Sequence, residues 1–170
     1  MAKFKTCKTC GVPLPVGKGH VWNPNGTMVQ RNDRGHRMIF FDSDGLNALF
    51  SNIEALIGVP IEKIVIEGKA RATEAYISTL LRGSKGRLAK VIGLERVIRK
   101  VVEQGRLLGY GDIRVVDFDW DRAFMTCDIT DPYSLALFCG DLKGSLQAIR
   151  KLEGKIEYEQ TGPTSYRIRN

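Results

Sequence analysis

Gly109-Tyr110-Gly111, Ile113-Arg114-Val115-Val116-Asp117-Phe118, Asp119-Trp120-Asp121-Arg122 and Ala123-Phe124-Met125-Thr126-Cys127-Asp128-Ile129 follow one another in the stretch that decides the fold. Apolar and polar residues alternate on both sides of the Asp-Trp-Asp-Arg turn, the period of two paired strands with one covered face. Leu135, Phe138, Leu142, Leu146 and Ile149 then recur at helical spacing, predicting a helix over 135–151. Residues 155–160 and 165–169 close the segment as two more alternating runs. Ile156, Tyr158, Tyr166 and Ile168 lie on their inward side, and Thr161-Gly162-Pro163-Thr164 turns between them. The order ββαββ predicts an α+β architecture, an antiparallel sheet packed with helices on one face. Gly109-Tyr110-Gly111 is expected to form a backbone turn that a side chain would obstruct. Gly140 and Gly144 lie beside the helix stripe and should let a neighbouring element come close.

Upstream, residues 43–57 carry Leu46, Leu49, Phe50, Ile53, Leu56 and Ile57 at helical spacing. Ser43 or Asp44 caps the start, and Gly58-Val59-Pro60 ends the helix. Pro60 opens a second helix that runs to Gly83, with Gly68 inside it, and a third is predicted from about Arg87. The third is apolar around more than half its girth, from Leu88, Val91 and Ile92 to Ile98 and Val102. Such a helix needs cover on two sides, by the sheet and by other helices or a second subunit, so a homodimer is expected.

The N-terminal segment differs in character. Asn25-Gly26 between Val21-Trp22 and Met28-Val29 is a hairpin signal, since both turn positions tolerate positive φ. A charged loop containing His36 follows, then a predicted strand through Met38-Ile39-Phe40-Phe41. Ahead of the hairpin stands Cys7-Lys8-Thr9-Cys10-Gly11, a C-x-x-C knuckle that lets two thiolates converge on one ion, as the first half of a zinc ribbon does. There is no second C-x-x-C. His20 is the best third ligand, with His36, Cys127 and Cys139 as the other candidates, although Cys127 and Cys139 fall on apolar faces typical of core thiols. The predicted metal set is therefore Cys7, Cys10 and His20, with zinc as cofactor. Residues 1–42, 43–108 and 109–170 form an N-terminal Cys knuckle with strands, a helical segment and the ββαββ unit, expected to make one compact domain.

Composition bounds the function. Of 170 residues, 43% are hydrophobic and 26% charged, the balance of a globular chain. No run is long and apolar enough for a membrane span, and the first residues show no apolar signal region, so a cytoplasmic protein is expected. The net charge of +7 favours an anionic partner in principle, but the cations are spread among apolar residues as on a solvated helix face. No phosphate-binding loop, nicotinamide fingerprint or nucleophile–base grouping occurs.

The order of elements and its glycine punctuation resemble the 4-vinyl-reductase domain of hydrocarbon-binding proteins, within the superfamily of nitric-oxide-signalling and vesicle-transport ligand-binding domains. The resemblance rests on Gly109-Tyr110-Gly111 before Ile113-Arg114-Val115-Val116-Asp117, on Asp128-Ile129-Thr130, on Cys139-Gly140-Asp141-Leu142-Lys143-Gly144, and on Ile156-Glu157-Tyr158-Glu159 before Tyr166-Arg167-Ile168. It covers about residues 105–169 and implies a dimer-prone domain with an apolar pocket between helices and sheet. The metal site of many members does not carry over, because Tyr133-Ser134-Leu135-Ala136 and the closing hairpin lack its cysteines. Leu88, Val91, Ile92, Ile98, Tyr110, Phe138 and Leu142 are the candidate pocket lining. The favoured function is a sensor or carrier that binds a small hydrophobic molecule. A nucleic-acid or protein-interaction module using the knuckle and basic helices is the alternative, and a reductase-type enzyme is the least favoured.

Overall fold

Alternation across residues 112–130 produces the strand pair it implies. In the computed structural model, which describes residues 4–31, 33–82, 94–119, 122, 124–150 and 154–170, strand Asp112–Asp119 lies antiparallel to strand Phe124–Thr130. The chain divides into two compact units, Met1–Asp42 and Ser43–Asn170.

In the first unit the described elements are α1 (Leu14–Gly19), β1 (His20–Trp22), β2 (Met28–Gln30) and β3 (Asp33–Met38), with the strands forming an antiparallel sheet in that order. Gly26, at φ +79°, makes the expected hairpin turn between β1 and β2. Among the described residues of this unit, Val16, Met28 and Val29 are the buried apolar side chains. Two expectations need correction. The third strand runs over Asp33–Met38 rather than through the apolar run 38–41, because Met28↔Met38 is the outer rung that β2 offers. His36 thus lies in a strand and not in a charged loop, while Ile39, Phe40 and Phe41 are exposed, Phe40 stacking on Trp22 at 6.4 Å. Helix α1 was also not anticipated; prolines at its start and only six residues of length hide any helical period.

The second unit holds α2 (Ser43–Ile57), α3 (Glu62–Arg82), α4 (Leu94–Leu107), β4 (Asp112–Asp119), β5 (Phe124–Thr130), α5 (Leu135–Arg150), β6 (Glu157–Gln160) and β7 (Ser165–Arg169). Its sheet is antiparallel throughout, in the order β4-β5-β7-β6. The closing hairpin therefore docks through β7 against β5, which places these two strands at the centre. Ile129 and Ile168, facing inward on them, are 1% and 0% exposed. Each buried isoleucine of this kind contributes about 1.5–3 kcal/mol. Ile113, Met125 and Cys127 complete the sheet side of the core, and Phe138, Cys139, Leu142 and Leu146 of α5 supply the other side. Tyr158, expected to point inward, is 39% exposed at the edge strand, with its hydroxyl donating to Glu62 on α3.

Helix α5 is covered on two sides, since α3 crosses it at the glycines. A Cβ on Gly140 would stand 2.6 Å from Cβ of Lys69 and 2.8 Å from the Ile66 carbonyl oxygen, and one on Gly144 would collide with the Ala70 carbonyl oxygen. The close approach expected of Gly140 and Gly144 is thus made, backbone against backbone. The start of α3 is pinned by Glu54 of α2, whose carboxylate accepts from the Ile61 amide at 2.8 Å across the turn at Gly58. The outward face of the sheet is ionic. Arg114, Asp128, Arg167 and Glu159 occupy neighbouring register positions across the four strands, so that charges alternate in sign. No described helix is long and apolar enough to cross a membrane.

Candidate functional site

Two places gather chemistry-bearing side chains, one in each unit. In the first, residues 5–14 fold back on themselves. Leu14 donates its amide to the Lys5 carbonyl at 2.8 Å, Cys7 donates to the Val12 carbonyl at 2.8 Å, and Gly11 donates to the Cys7 carbonyl at 3.0 Å. Gly11 at φ +72° permits this tight return. The turn aims the backbone amides of Cys10 and Thr9 at the Cys7 sulfur. The Cys10 amide acts most strongly, and together with the Cys10 thiol these donors bring the Cys7 thiol down to about 7. Cys10 is exposed and Cys7 half-buried, and both thiols are free. Amides that donate to sulfur also stabilise a metal-bound thiolate, so the two thiols suit a soft or borderline ion such as zinc.

His20 is placed differently. It is buried, and its Nδ1 lies 2.6 Å from the Val16 carbonyl oxygen. A carbonyl only accepts, so Nδ1 is the donor in this bond. The ring meets Trp22 edge-on at 6.1 Å. Among the described residues no three His, Cys, Asp or Glu side chains converge as a metal site, so Cys7, Cys10 and His20 do not form such a group. Cys127 and Cys139 belong to the core of the second unit. Burial, aided by the Asp128 and Glu62 carboxylates respectively, pushes both thiols up to about 12.

In the second unit Gly109 and Gly111, at φ +84° and +120°, hold Tyr110 in a turn against the end of α4. A Cβ on Gly111 would lie 2.9 Å from the carbonyl oxygens of Thr130 and Asp131, which is the obstruction the Gly-Tyr-Gly pattern implies. Tyr110 donates its amide to Gly105 at 2.9 Å, and its carbonyl accepts from the Tyr133 amide at 3.2 Å. The two phenol rings stand 4.6 Å apart. Tyr133 donates its hydroxyl to one oxygen of Asp141 at 3.0 Å; Thr73 donates to the other at 2.7 Å, with the Lys69 ammonium 3.1 Å from that same atom. Asn47 of α2 donates to the Tyr133 carbonyl at 2.9 Å.

Burial, and then the Asp141 charge, hold the Tyr133 phenol far above its ordinary range. Burial also raises Tyr110, with Asp141 and Tyr76 adding to it. Both phenols are therefore permanent hydrogen-bond donors at neutral pH, and the cluster can orient a polar group without exchanging a proton. It touches the apolar core directly, because Tyr110, Tyr133 and Ile98 pack against the cluster containing Phe138 and Leu142. Of the predicted pocket residues, Ile98, Tyr110, Phe138 and Leu142 are thus brought together, whereas Leu88, Val91 and Ile92 lie outside the described residues. Tyr133, Asp141, Thr73 and Lys69 were not singled out as site residues. The usable signal was an acid set between Gly140 and Gly144, on the helix surface most closely approached by another helix.

No family model matches the chain, and no curated protein does. Among solved structures, the chain is similar to the phenol-responsive sensory domain of the transcription activator PoxR, determined with phenol. The match has 11% identity and a TM-score of 0.63, and covers 92% of this chain and 86% of that one. At this identity the likeness concerns the fold alone.

Proposed function

We propose that this chain binds a small hydrophobic molecule, as a sensor or carrier, in an apolar site between the helices and the four-stranded sheet. The observation that carries the proposal is the fold shared with a phenol-responsive sensory domain over 92% of the chain. The Tyr110–Tyr133–Asp141 group beside Ile98, Phe138 and Leu142 supports it, because a site for such a ligand needs mostly apolar lining and a few fixed polar anchors. The glycine-punctuated resemblance to the 4-vinyl-reductase domain points to the same ligand class, with small aromatic or hydrocarbon molecules as first choices. Structural zinc at Cys7 and Cys10 belongs to the proposal, since two amide-solvated thiols on one turn suit that ion. A homodimer belongs to it as well. Helix α2 has no buried residue, exposes Leu49, Leu56 and Ile57, and carries no lysine or arginine. Free thiols and a dithiol knuckle suit a reducing cytoplasm.

The test is extraction of the purified protein with organic solvent for mass spectrometry, together with thermal melting against a panel of phenols and other small aromatics. A ligand at about 100 times its Kd should stabilise the fold by about 2.7 kcal/mol, a clear rise in Tm. Asp141→Asn should reduce the shift for phenols more than for apolar hydrocarbons. Repeated extraction without a ligand, combined with a flat panel, would sink the proposal.

A further inference from the structure

The knuckle supplies half of a closed zinc site, and we propose that a second copy of the chain supplies the other half, one zinc being held by Cys7 and Cys10 of each of two chains. This rests on the zinc reading above and goes beyond it by naming the source of the missing ligands. Structural zinc is four-coordinate, and its protein ligands normally fill all four places. Cys7 and Cys10 fill two, and the described residues gather no third His, Cys, Asp or Glu with them. His20, the nearest expectation within the chain, is buried and tied through Nδ1 to Val16. The thiols are instead reachable from outside, with Cys10 exposed and Cys7 half-buried. A knuckle on the surface can meet its own copy across a two-fold axis, where each half contributes the same pair.

The charges around the turn agree with this arrangement. Four thiolates overbalance one divalent ion and leave the centre anionic. Lys5 and Lys8, exposed beside the knuckle in each chain, would bring lysines from both copies to that charge. The amides of Thr9 and Cys10 already directed at sulfur provide the inner support in each half. No electron transfer is involved; each bound thiol releases its proton to solvent as zinc enters.

The experiment is a zinc titration of the reduced, metal-stripped full chain, with reactive thiols counted by disulfide exchange. Because Cys127 and Cys139 are buried, the native protein reports only the knuckle. About half an equivalent of zinc per chain should protect both knuckle thiols, and cobalt(II) should develop thiolate charge-transfer absorption that saturates at the same ratio. Mixed samples of two differently labelled copies should show zinc-dependent energy transfer that a chelator reverses. Cys7→Ser should abolish all three signals, and His20→Gln should leave the ratio unchanged. Saturation at one equivalent per chain, or a loss of binding in His20→Gln, would overturn the shared centre while leaving zinc at the knuckle. Zinc that protects no thiol would overturn both. Neither result touches hydrophobic-ligand binding, which the aromatic panel reads separately.

Discussion

The four cysteines divide evenly between the two units, and their surroundings are opposite. Cys7 and Cys10 sit in a turn whose amides solvate sulfur, and the Cys7 thiol is brought down to about 7. Cys127 and Cys139 sit among Ile113, Ile129, Phe138 and Leu142, and both are pushed up to about 12. The same side chain is an amide-solvated thiol in one place and a small hydrophobe in the other. The difference extends to how each unit is held. The first is a short three-stranded sheet with a return turn of backbone hydrogen bonds and, among the described residues, few buried apolar side chains. The second is held by packing, with α5 pressed between the sheet and α3.

The largest expected effect tests that packing. In Gly144→Ala, the new methyl collides with the backbone of α3 at Ala70, and no rotamer relieves a Cβ. Denaturant unfolding should show a loss of about 3 kcal/mol, the upper range for overpacking. Gly17→Ala in α1 is the control. Nothing lies within 4 Å of its Cβ position, so stability should hold or rise by up to about 1 kcal/mol from helix propensity alone. Equal effects at the two glycines would erase the contrast between the units.

A smaller effect probes the thiols themselves. Cys139→Ser places a hydroxyl at a fully buried site whose side-chain neighbours in the core are apolar, and should cost about 1–3 kcal/mol. Cys10→Ser in the metal-free protein changes an exposed position and should stay within about 0.5 kcal/mol. Alkylation at pH 8 in native buffer should label Cys7 and Cys10 rapidly and reach Cys127 and Cys139 only in denaturant. Mass spectrometry of digests reads the difference, and rapid native labelling of Cys139 would show the core to be far looser than the packing implies.

Local spacing made much of this legible. The alternation through residues 112–130, the stripe from Leu135 to Ile149 and the glycine pair at 140 and 144 each report burial on one element, and the elements formed where that burial required. The C-x-x-C-Gly knuckle is equally local, a turn determined by adjacent residues. The apolar run Ile39-Phe40-Phe41 misled because periodicity registers burial, whereas a strand also needs a partner, and the β2 ladder ends at Met38. The tyrosine–aspartate cluster was hidden for a related reason. Thr73 and Lys69 are one turn apart on α3, but only the crossing at Gly140 and Gly144 brings them to Asp141, and only the turn at Tyr110 brings Tyr133. That information lies between elements and leaves no spacing within any one of them.

The smallest effect sharpens the comparison by showing charged-form stabilisation in the packed unit too, on its wet face. Asp128 receives two hydrogen bonds from Arg167 across the β5–β7 rung, Nε to Oδ1 at 2.8 Å and Nη2 to Oδ2 at 3.0 Å. The Arg167 hydrogen bonds foremost, with Arg114 and Arg169 adding charge, hold its carboxyl below the ordinary carboxylate value against a modest desolvation. The pair is 36% exposed on each side, so solvent screening limits its worth to about 1 kcal/mol. Because the folded pKa is depressed, this stability is fully present above the unfolded value of about 3.9, and is lost as pH falls through the folded pKa. Asp128→Asn should therefore cost about 1 kcal/mol at pH 7 and at pH 5. The gap between variant and wild type should close progressively below pH 4, as the wild type takes up the proton that asparagine mimics. Urea unfolding at pH 7, 5 and 3 measures that gap directly. A gap unchanged at pH 3 would assign the loss to altered shape in the sheet and not to the carboxylate charge.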